Sequence, residues 1–470
     1  MKNRILSFLL VAALGISLCA CQGANGNNPG SDSGNNGSES NSDKNPLLFE
    51  VPEGGYDGSE VTILFDHTLQ SRYWDLLDAC IAEFNKMYPK IHITHQLVGD
   101  YEDIYIQNCT SSAAPISNIV FCRPDQVAGY IDKGMVIALD KLISDSENGY
   151  SQAQLEDFVE AFYNQGKEYG DGYMYSLPIS KSAEVLYYNK TFFEQHQLNV
   201  PKTWDEMEAL CEQIKAIDPQ AIPLGYERTS NWFVTMTQQL DSGYTSATGE
   251  RYLFNNAENQ NFVKDIQEWY SKGYVTTSFY GELSVVNRFA NQQEGGCYMA
   301  VSSSVAAKYF LPRPDGDGKY PFEVGIAMVP QADVNNPKVI TEGPEVCILK
   351  NENPQEVIAS WLFVKFLTTN KDFQIAYALT DGKMPVLKSA VEDSRVADYL
   401  AGANNTDGIQ KLALKQCLEQ KNAYFSLPAF ITAYDSYKEV GTLLEEAMKS
   451  DGDVAGLFEK AVNNLKAKEK

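Results

Sequence analysis

A short polar segment separates two sheet-forming runs in the middle of the chain. Residues 179–182, Ile-Ser-Lys-Ser, follow the run 174–177 and precede the β-branched and aromatic run 185–188. Pro178 cannot donate to a strand ladder, so it belongs at a sheet edge or a crossing. Two hydroxyls beside an ammonium can bind a polar solute. The segment predicts a chain crossing between two lobes, with Ser180, Lys181 and Ser182 facing a cleft; an ordinary loop in one domain is the alternative.

Two further residues have the chemistry of a solute site. Arg123 follows the apolar strand-like run 118–122, where a guanidinium can hold a carboxylate, a phosphate or a sugar hydroxyl. Trp232 lies in the polar context TSNWF, which favours a flat platform for the apolar face of a sugar. A surface ion pair is the alternative for Arg123, and core packing is the alternative for Trp232.

The elements that must position these residues begin with a β-α-β pattern. Residues 61–65 form an apolar run, residues 72–88 keep a helical spacing of apolar side chains, and residues 91–97 alternate. Such a unit predicts a parallel sheet. The carboxyl ends of its strands face the ligand crevice, which places Asp66, His67 and Thr68 in that crevice.

Catalytic and metal-binding patterns are missing from the sequence. There is no HExxH, GxSxG, Walker or dinucleotide motif. His92 and His95 are three positions apart in a predicted strand, so they point to opposite faces and make a poor metal pair. The sequence predicts no metal, no cofactor and no enzymatic activity. A surface glycan hydrolase stays open as an alternative, because carboxylates for a glycosidase pair are plentiful.

Size and charge limit the class of protein. The chain has 470 residues, too many for one ordinary core, and its apolar share of 44% is typical of a globular protein. A formal net charge of −24 repels nucleic acid and anionic lipid, although solubility alone also explains it. Nine cysteines include no CxxC pair, so neither a zinc site nor a disulfide framework is indicated.

The N-terminus has the pattern of an exported lipoprotein. Residues 1–20 carry Lys2 and Arg4 before a short apolar run, which predicts a signal peptide rather than a membrane span. Leu-Cys-Ala-Cys at residues 18–21 resembles a bacterial lipobox, in which Cys21 would carry the lipid; ordinary signal cleavage is the alternative. Residues 21–57 are predicted to be a flexible tether, because most of this segment is Gly, Asn and Ser.

The crossing itself resembles a known family. SLPISKSAEVLYYNKTFF followed by VPKTWDEMEAL resembles the first interlobe crossing of extracellular solute-binding proteins of family 1, the receptors of sugar ABC importers related to maltose- and glycerol-3-phosphate-binding proteins. The resemblance implies a two-lobed α/β periplasmic-binding-protein-like fold (class II), each lobe a sheet flanked by helices. It also implies a return crossing at residues 322–330 and a third crossing at residues 381–385.

The resemblance also implies site residues and lobe boundaries. Ser302 and Ser303 follow a strand-like run at the expected cleft, and Gly343 precedes another strand. Asp66 and Asn118 depart from the family pattern, which commonly has an aromatic residue and an aspartate there. Lobe 1 is expected at residues 58–178 and 327–381, and lobe 2 at residues 179–326 and 382–470.

Together these features predict a lipid-anchored, monomeric receptor on the extracellular face of a bacterial cell membrane. It would capture a mono- or oligosaccharide by lobe closure and deliver it to ABC permease subunits. A receptor for glycerol 3-phosphate or another phosphorylated solute is the near alternative, with Arg123 and Lys181 as phosphate ligands. The expected ligand-binding residues are Asp66, His67, Thr68, Asn118, Arg123, Ser180, Lys181, Ser182, Trp232, Ser302, Ser303 and Gly343.

Overall fold

A computed structural model describes residues 45–111, 115–279, 282–292, 295–450 and 452–469. The predicted signal peptide, Cys21 and most of the predicted tether lie outside the described residues. The last part of that tether, residues 45–57, belongs to the folded body instead. Asn45 Nδ2 donates to Tyr175 Oη at 2.6 Å, Leu48 pairs with Ala138, and Phe49 packs against the core. The apolar side chains between residues 45 and 57 bring this segment onto the body.

Eleven strands are present in the described residues, and they form two sheets. The strands are Val61–His67 (β1), Ile91–Leu97 (β2), Ile119–Cys122 (β3), Leu177–Pro178 (β4), Ser182–Asn189 (β5), Leu224–Tyr226 (β6), Val275–Thr277 (β7), Met299–Ser303 (β8), Val324–Ala327 (β9), Thr341–Glu342 (β10) and Glu345–Ile348 (β11). The first sheet has the order β2-β1-β3-β11-β4, and the second has the order β10-β5-β8-β6-β7 with β9 also paired to β5.

Helices flank both sheets. The described α-helices are Trp74–Met87 (α1), Tyr101–Thr110 (α2), Pro124–Asp132 (α3), Asp140–Ile143 (α4), Gln152–Asp157 (α5), Glu160–Asn164 (α6), Lys190–His196 (α7), Trp204–Ile217 (α8), Thr229–Gln239 (α9), Ala257–Ser271 (α10), Val285–Asn291 (α11), Pro354–Thr369 (α12), Lys371–Asp381 (α13), Lys388–Val391 (α14), Ser394–Leu400 (α15), Ile409–Glu419 (α16), Ala433–Lys449 (α17) and Val454–Lys468 (α18). Short 3-10 helices span Ser71–Tyr73, Gln165–Lys167, Ser304–Phe310 and Lys421–Ala423.

The predicted β-α-β unit is confirmed. β1 pairs in parallel with β2 and with β3, and α1 connects β1 to β2. Alternate residues of the central strands enter different apolar clusters: Ile119 and Phe121 pack on one face of the first sheet, and Val120 and Cys122 pack on the other. Both faces are therefore buried, as expected for strands covered by helices on both sides.

The first crossing lies where the sequence predicts it. β4 is the edge strand of the first sheet, which suits Pro178. Three residues separate it from β5, where the chain enters the second sheet. The third predicted crossing runs beside the first. The Lys181 amide donates to the Met384 carbonyl at 3.2 Å, and the Met384 amide donates back to the Lys181 carbonyl at 2.8 Å.

The predicted return crossing at residues 322–330 is wrong. Val324–Ala327 (β9) pairs antiparallel with β5, inside the second sheet. The chain passes to the first sheet later, between β10 and β11, at Gly343 and Pro344. A short apolar run suits either sheet, because both bury their strands, so composition cannot assign β9 to one of them. The division of the chain into two lobes stays a prediction, and its boundary at residue 327 does not coincide with this crossing.

No helix within the described ranges is both long enough and apolar enough to span a membrane. The body cysteines at 80, 109, 122, 211, 297, 347 and 417 are free thiols, and all except Cys109 are buried. Their burial is typical of cysteines that pack as small apolar residues.

Candidate ligand-binding site

A cavity of about 520 Å³ opens where the chain passes between the sheets. Ser180, Lys181 and Ser182 line it from the first crossing, and Gly343 and Pro344 line it from the second. Lys383 lines it from the third crossing. The volume is in the range of small-molecule sites in proteins. All three crossings therefore contribute to one cavity.

The two later crossings come very close to the first. The Ile179 amide donates to the Pro344 carbonyl at 3.2 Å. A Cβ atom at Gly343 would lie 1.9 Å from the Ser180 carbonyl oxygen, so any residue larger than glycine would push the two segments apart. Gly343 thus lines the cavity because the backbones meet there, a role that needs no side chain.

The floor of the cavity holds a buried ion pair. Lys181 Nζ lies 2.5 Å from Glu345 Oε1, and their side chains are 5% and 0% exposed. Ser176 Oγ also donates to this carboxylate, at 3.3 Å. Burial raises the pKa of Glu345, opposed by the charge and hydrogen bond of Lys181. The positive charge of Lys181 is therefore compensated within the protein.

The wall on the side of the first sheet carries Tyr101 from α2 and Arg123 from the end of β3. Arg123 precedes Pro124, which starts α3, so the strand-to-helix turn aims the guanidinium at the cavity. Its Nε lies 3.1 Å from Asp125 Oδ1, and its Nη2 lies 3.3 Å from Glu102 Oε2. Arg123 is thus held by two carboxylates.

The opposite wall is built by α17 and the second sheet. Tyr434 and Tyr437 stack on each other with ring centres 5.9 Å apart. Arg228 Nη1 lies 3.3 Å from Glu342 Oε1 on β10. The Arg123 guanidinium lies 4.1 Å from the centre of the Tyr434 ring, so one cation–π contact joins the two walls.

A tyrosine hydroxyl of the lining has no hydrogen-bond partner among the described residues. Tyr244 lines the cavity and is 5% exposed, and its Oη has no hydrogen-bond partner among the described residues. A buried hydroxyl without a partner loses its hydration without compensation.

Behind the α17 wall lies a buried carboxyl group. Tyr437 Oη donates to Asn231 Oδ1 at 2.6 Å, and Asn231 Nδ2 donates to Glu184 Oε1 at 3.0 Å. Tyr226 Oη donates to the other oxygen of Glu184 at 2.6 Å. Burial raises the pKa of Glu184 to about 8, despite these hydrogen bonds. The Glu184 carboxyl group connects to the cavity through Asn231 and Tyr437, so it supports the wall.

The structure brings together five of the predicted site residues: Arg123, Ser180, Lys181, Ser182 and Gly343. The other seven lie outside the lining of this cavity. Two of them, Asp66 and His67, belong to β1 itself, because β1 continues two residues beyond the predicted strand and pairs with β2 as far as Leu97. Both are fully buried.

The polar groups of Asp66 and His67 are used inside the fold. Asp66 accepts hydrogen bonds from side chains of Gln96, Gln107 and Ser117, at 2.8, 3.0 and 2.5 Å. His67 Nδ1 accepts from an amide two residues along the chain, and its Nε2 lies 2.9 Å from His95 Nδ1. Burial, with His95 nearby, lowers the pKa of His67 to about 4, so His67 is neutral at pH 7.

Thr68 and Asn118 are placed near the first-sheet wall without lining it. Thr68 is half-buried, and its side chain is a hydrogen-bond partner of Tyr101, which does line the cavity. Asn118 Oδ1 accepts from the Leu64 amide at 2.9 Å, and Asn118 Nδ2 donates to Glu356 at 3.0 Å. Asn118 therefore links β1 to α12 instead of facing a solute.

Trp232 is in the core, against the prediction. It lies within α9, is 1% exposed, and stacks on Tyr226 with ring centres 4.6 Å apart. Ser302 and Ser303 belong to β8, where they pair with Val185 and Glu184. The Ser302 hydroxyl donates to Glu227, and the Ser303 carbonyl accepts from Tyr187 Oη at 2.8 Å. Strand pairing again takes up residues that were predicted to follow the strand.

Several lining residues were missed by the sequence reasoning: Tyr101, Arg228, Tyr244, Glu342, Lys383, Tyr434 and Tyr437. Lys383 had a usable signal, since it lies within the predicted third crossing. Tyr434 and Tyr437 had none, because their spacing indicates only one face of a helix. No group of three or more metal-ligating side chains occurs in the part of the chain that the structure describes.

The sequence also matches a family of known proteins. The model of the bacterial extracellular solute-binding proteins matches residues 79–403, which is more than half of the chain. The chain belongs to this family. The resemblance noted at the first crossing is thereby confirmed.

Curated relatives of this solute-binding protein are distant. The multiple sugar-binding protein of Streptococcus mutans is 24% identical over 339 residues, covering 67% of this chain and 73% of the relative. The sn-glycerol-3-phosphate-binding periplasmic protein of Salmonella typhimurium is 22% identical over 363 residues, covering 72% and 77%. Both relatives are named as binding proteins.

Solved structures share the fold. The cyclic alpha-maltosyl-1,6-maltose binding protein from Arthrobacter globiformis superposes with a TM-score of 0.67 at 19% identity, covering 87% of this chain and 99% of the other. The predicted α/β periplasmic-binding-protein-like fold, with helices flanking each of two sheets, is thus confirmed.

Proposed function

We propose that this solute-binding protein captures a carbohydrate in the cavity at the three crossings and delivers it to an ABC permease. The observation that carries the proposal is the pairing of tyrosine rings with planar polar groups around one cavity. Tyr101 and Tyr434 stand on opposite walls, and Arg228 pairs with Glu342 beside them. Sugars present apolar faces to rings and hydroxyls to planar polar groups. The sugar-binding names of a curated relative and of a structural neighbour agree with this proposal.

The remaining features of the proposal concern the chain as a receptor. We expect it to act without chemical change of the solute and without a cofactor, as a monomer that closes about the crossings. We further propose that Cys21 anchors it by lipid to the extracellular face of the bacterial membrane. Labelling of the full chain with a radioactive fatty acid in a bacterial host tests the anchor, and a Cys21→Ala variant should lose the label.

The binding proposal is tested with residues 45–470, which form a compact unit of their own. Melting temperature is measured against neutral mono- and oligosaccharides, because a solute that binds only the folded state raises it. The solute is then analysed for chemical change. An intact solute that raises the melting temperature supports a receptor, and a consumed solute indicates a hydrolase.

A matched pair of variants locates the site. Tyr434→Ala removes a ring from the cavity wall and should weaken the affinity about tenfold. Tyr309→Ala removes a ring that is 59% exposed and outside the lining, and it should leave the affinity unchanged. Equal effects of the two variants would contradict this site, and a panel without any binding saccharide would contradict the carbohydrate proposal.

A further inference from the structure

Four cationic side chains line the cavity, and three of them are paired with carboxylates. Lys181 pairs with Glu345, Arg123 with Asp125, and Arg228 with Glu342. Lys383 is the fourth. No carboxylate of the described residues makes an ion pair with its Nζ.

The surroundings of Lys383 are aromatic. Its Nζ donates to Tyr377 Oη at 3.3 Å and lies 5.0 Å from the centre of that ring. The centre of the Tyr73 ring is 5.5 Å from the same Nζ. Burial lowers the pKa of Lys383, although Tyr101 and Asp381 oppose this effect. The ammonium is therefore desolvated without a full counter-charge.

The nearest source of negative charge is already engaged. Asp381 lies two residues before Lys383, but Arg72 Nη2 contacts its Oδ2 at 2.6 Å and Tyr73 Oη donates to the same oxygen. These two partners outweigh burial and lower the pKa of Asp381. Two cations, Arg72 and Lys383, thus share one carboxylate at this end of the cavity.

We propose that the solute carries an acidic group that binds Lys383 Nζ, so that the ligand is an acidic saccharide. A carboxylate of a uronic acid and a phosphate ester share this chemistry. The inference rests on the carbohydrate function proposed above. Tyr101 and Lys383 line the same cavity and each affects the pKa of the other, so a sugar ring on Tyr101 would direct a substituent toward the ammonium.

A neutral hydroxyl would also accept a hydrogen bond from Lys383, but it would leave the charge uncompensated. A charge-assisted hydrogen bond is roughly twice as strong as a neutral one. Interactions in a partly buried cavity are also screened less by water. The unpaired ammonium of Lys383 therefore favours an anion over a hydroxyl. Lys181 and Arg123, the predicted phosphate ligands, are less suited to bind an anion because each is already paired with a carboxylate.

The test compares matched neutral and acidic probes on residues 45–470 by calorimetry. The pairs are glucose with glucuronate, galactose with galacturonate, glucose with glucose 6-phosphate, and glycerol with glycerol 3-phosphate. We expect the acidic member of a sugar pair to bind about tenfold more tightly, and this preference to weaken as salt is added. Lys383→Met should abolish the preference, so that the neutral and acidic members of a sugar pair bind with affinities within about twofold of each other.

Two controls separate recognition from folding. Lys308→Met changes an exposed lysine outside the lining and should preserve the preference. Lys383→Arg keeps the positive charge and should retain most of the preference for the acidic sugar. The melting temperature of each variant without solute shows whether the fold is intact.

The outcomes distinguish this inference from the proposed function. Equal binding of neutral and acidic sugars, or an acid preference that survives Lys383→Met, overturns the acidic-saccharide inference and leaves the carbohydrate function standing. If only glycerol 3-phosphate binds and Lys383→Met abolishes this binding, the anion-binding role of Lys383 is supported and the proposal of a saccharide ligand is overturned. Absence of binding throughout overturns both.

Discussion

The strand ends of the two sheets and the crossings between them were both predicted to supply the site, and they differ in what the structure does with their polar groups. At the strand ends, Asp66, His67 and Ser302 are buried and bonded to other protein groups. At the crossings, Ser182 and Lys383 face the cavity. Polar residues beside a strand are easily taken up by strand pairing, whereas Lys383 lies outside every strand of the described residues.

Replacement of Lys181 should have the largest effect on stability among the crossing and strand-end residues. Lys181 is a crossing residue and also forms one half of a buried ion pair. Lys181→Met leaves Glu345 without its cation, so we expect the free energy of unfolding to fall by about 3–5 kcal/mol. Urea denaturation at pH 7 measures it. The double variant Lys181→Met, Glu345→Gln should recover much of the loss, and a loss no larger than that of Lys308→Met would contradict the ion pair.

Glu184 tests the comparison through the pH dependence of stability, because its carboxyl group is buried next to the first crossing. Its pKa is about 8 in the folded protein and near 4.5 when unfolded. Below pH 4.5 both states are protonated and Glu184 costs no stability. As the pH rises from 4.5 to 8 the unfolded state loses its proton first, so stability falls, and above 8 the loss is complete.

Glu184→Gln should therefore remove this loss. We expect the variant to gain roughly 2–4 kcal/mol of unfolding free energy over the wild type between about pH 5 and 8.5. Thermal or urea unfolding across this range measures the gain. Glu53→Gln, a change of an exposed carboxylate, should follow the wild type. A constant difference between Glu184→Gln and wild type across the range would show that Glu184 does not titrate as described.

Asp66 tests the strand-end side of the comparison and has the smallest expected effect. Asp66→Ala leaves the donors of Gln96, Gln107 and Ser117 without their acceptor, so we expect a loss of about 1–3 kcal/mol in stability. The affinity for the solute should stay within about twofold of wild type. Asp317→Ala in an exposed loop is the control. A much weaker affinity at unchanged stability would place Asp66 in the site after all.

The fold was largely readable from local signals. Pro178 and the polar segment after it were compatible with a crossing or an ordinary loop, and the resemblance to the solute-binding family decided for the crossing. The spacing of apolar residues predicted β1, α1 and β2. The strand ends were less exact. β1 and β8 each continue two residues further than their apolar runs, because backbone pairing does not require apolar side chains. Because of that small error, Asp66, His67, Ser302 and Ser303 were predicted to face the cleft, whereas they lie within strands.

The site was readable only where one segment was sufficient. Ser180 to Ser182 were predicted because the family resemblance covers this continuous segment. Trp232 has polar neighbours in sequence, but its ring partner Tyr226 comes from a separate strand. Tyr434 reaches the cavity because α17 packs along α9, a long-range contact that no local pattern encodes. Residues brought in by tertiary packing therefore stayed unpredicted.

The cation–π contact between Arg123 and Tyr434 has a kinetic consequence. It joins the two walls across the cavity, so any motion that separates the walls must first break it. A contact of this kind is worth about 0.5–2 kcal/mol. Loss of the contact alone would speed wall opening by a factor between about two and thirty, and it would shorten the residence time of a trapped solute. The same pair of side chains would then set both how quickly a solute enters and how long it stays.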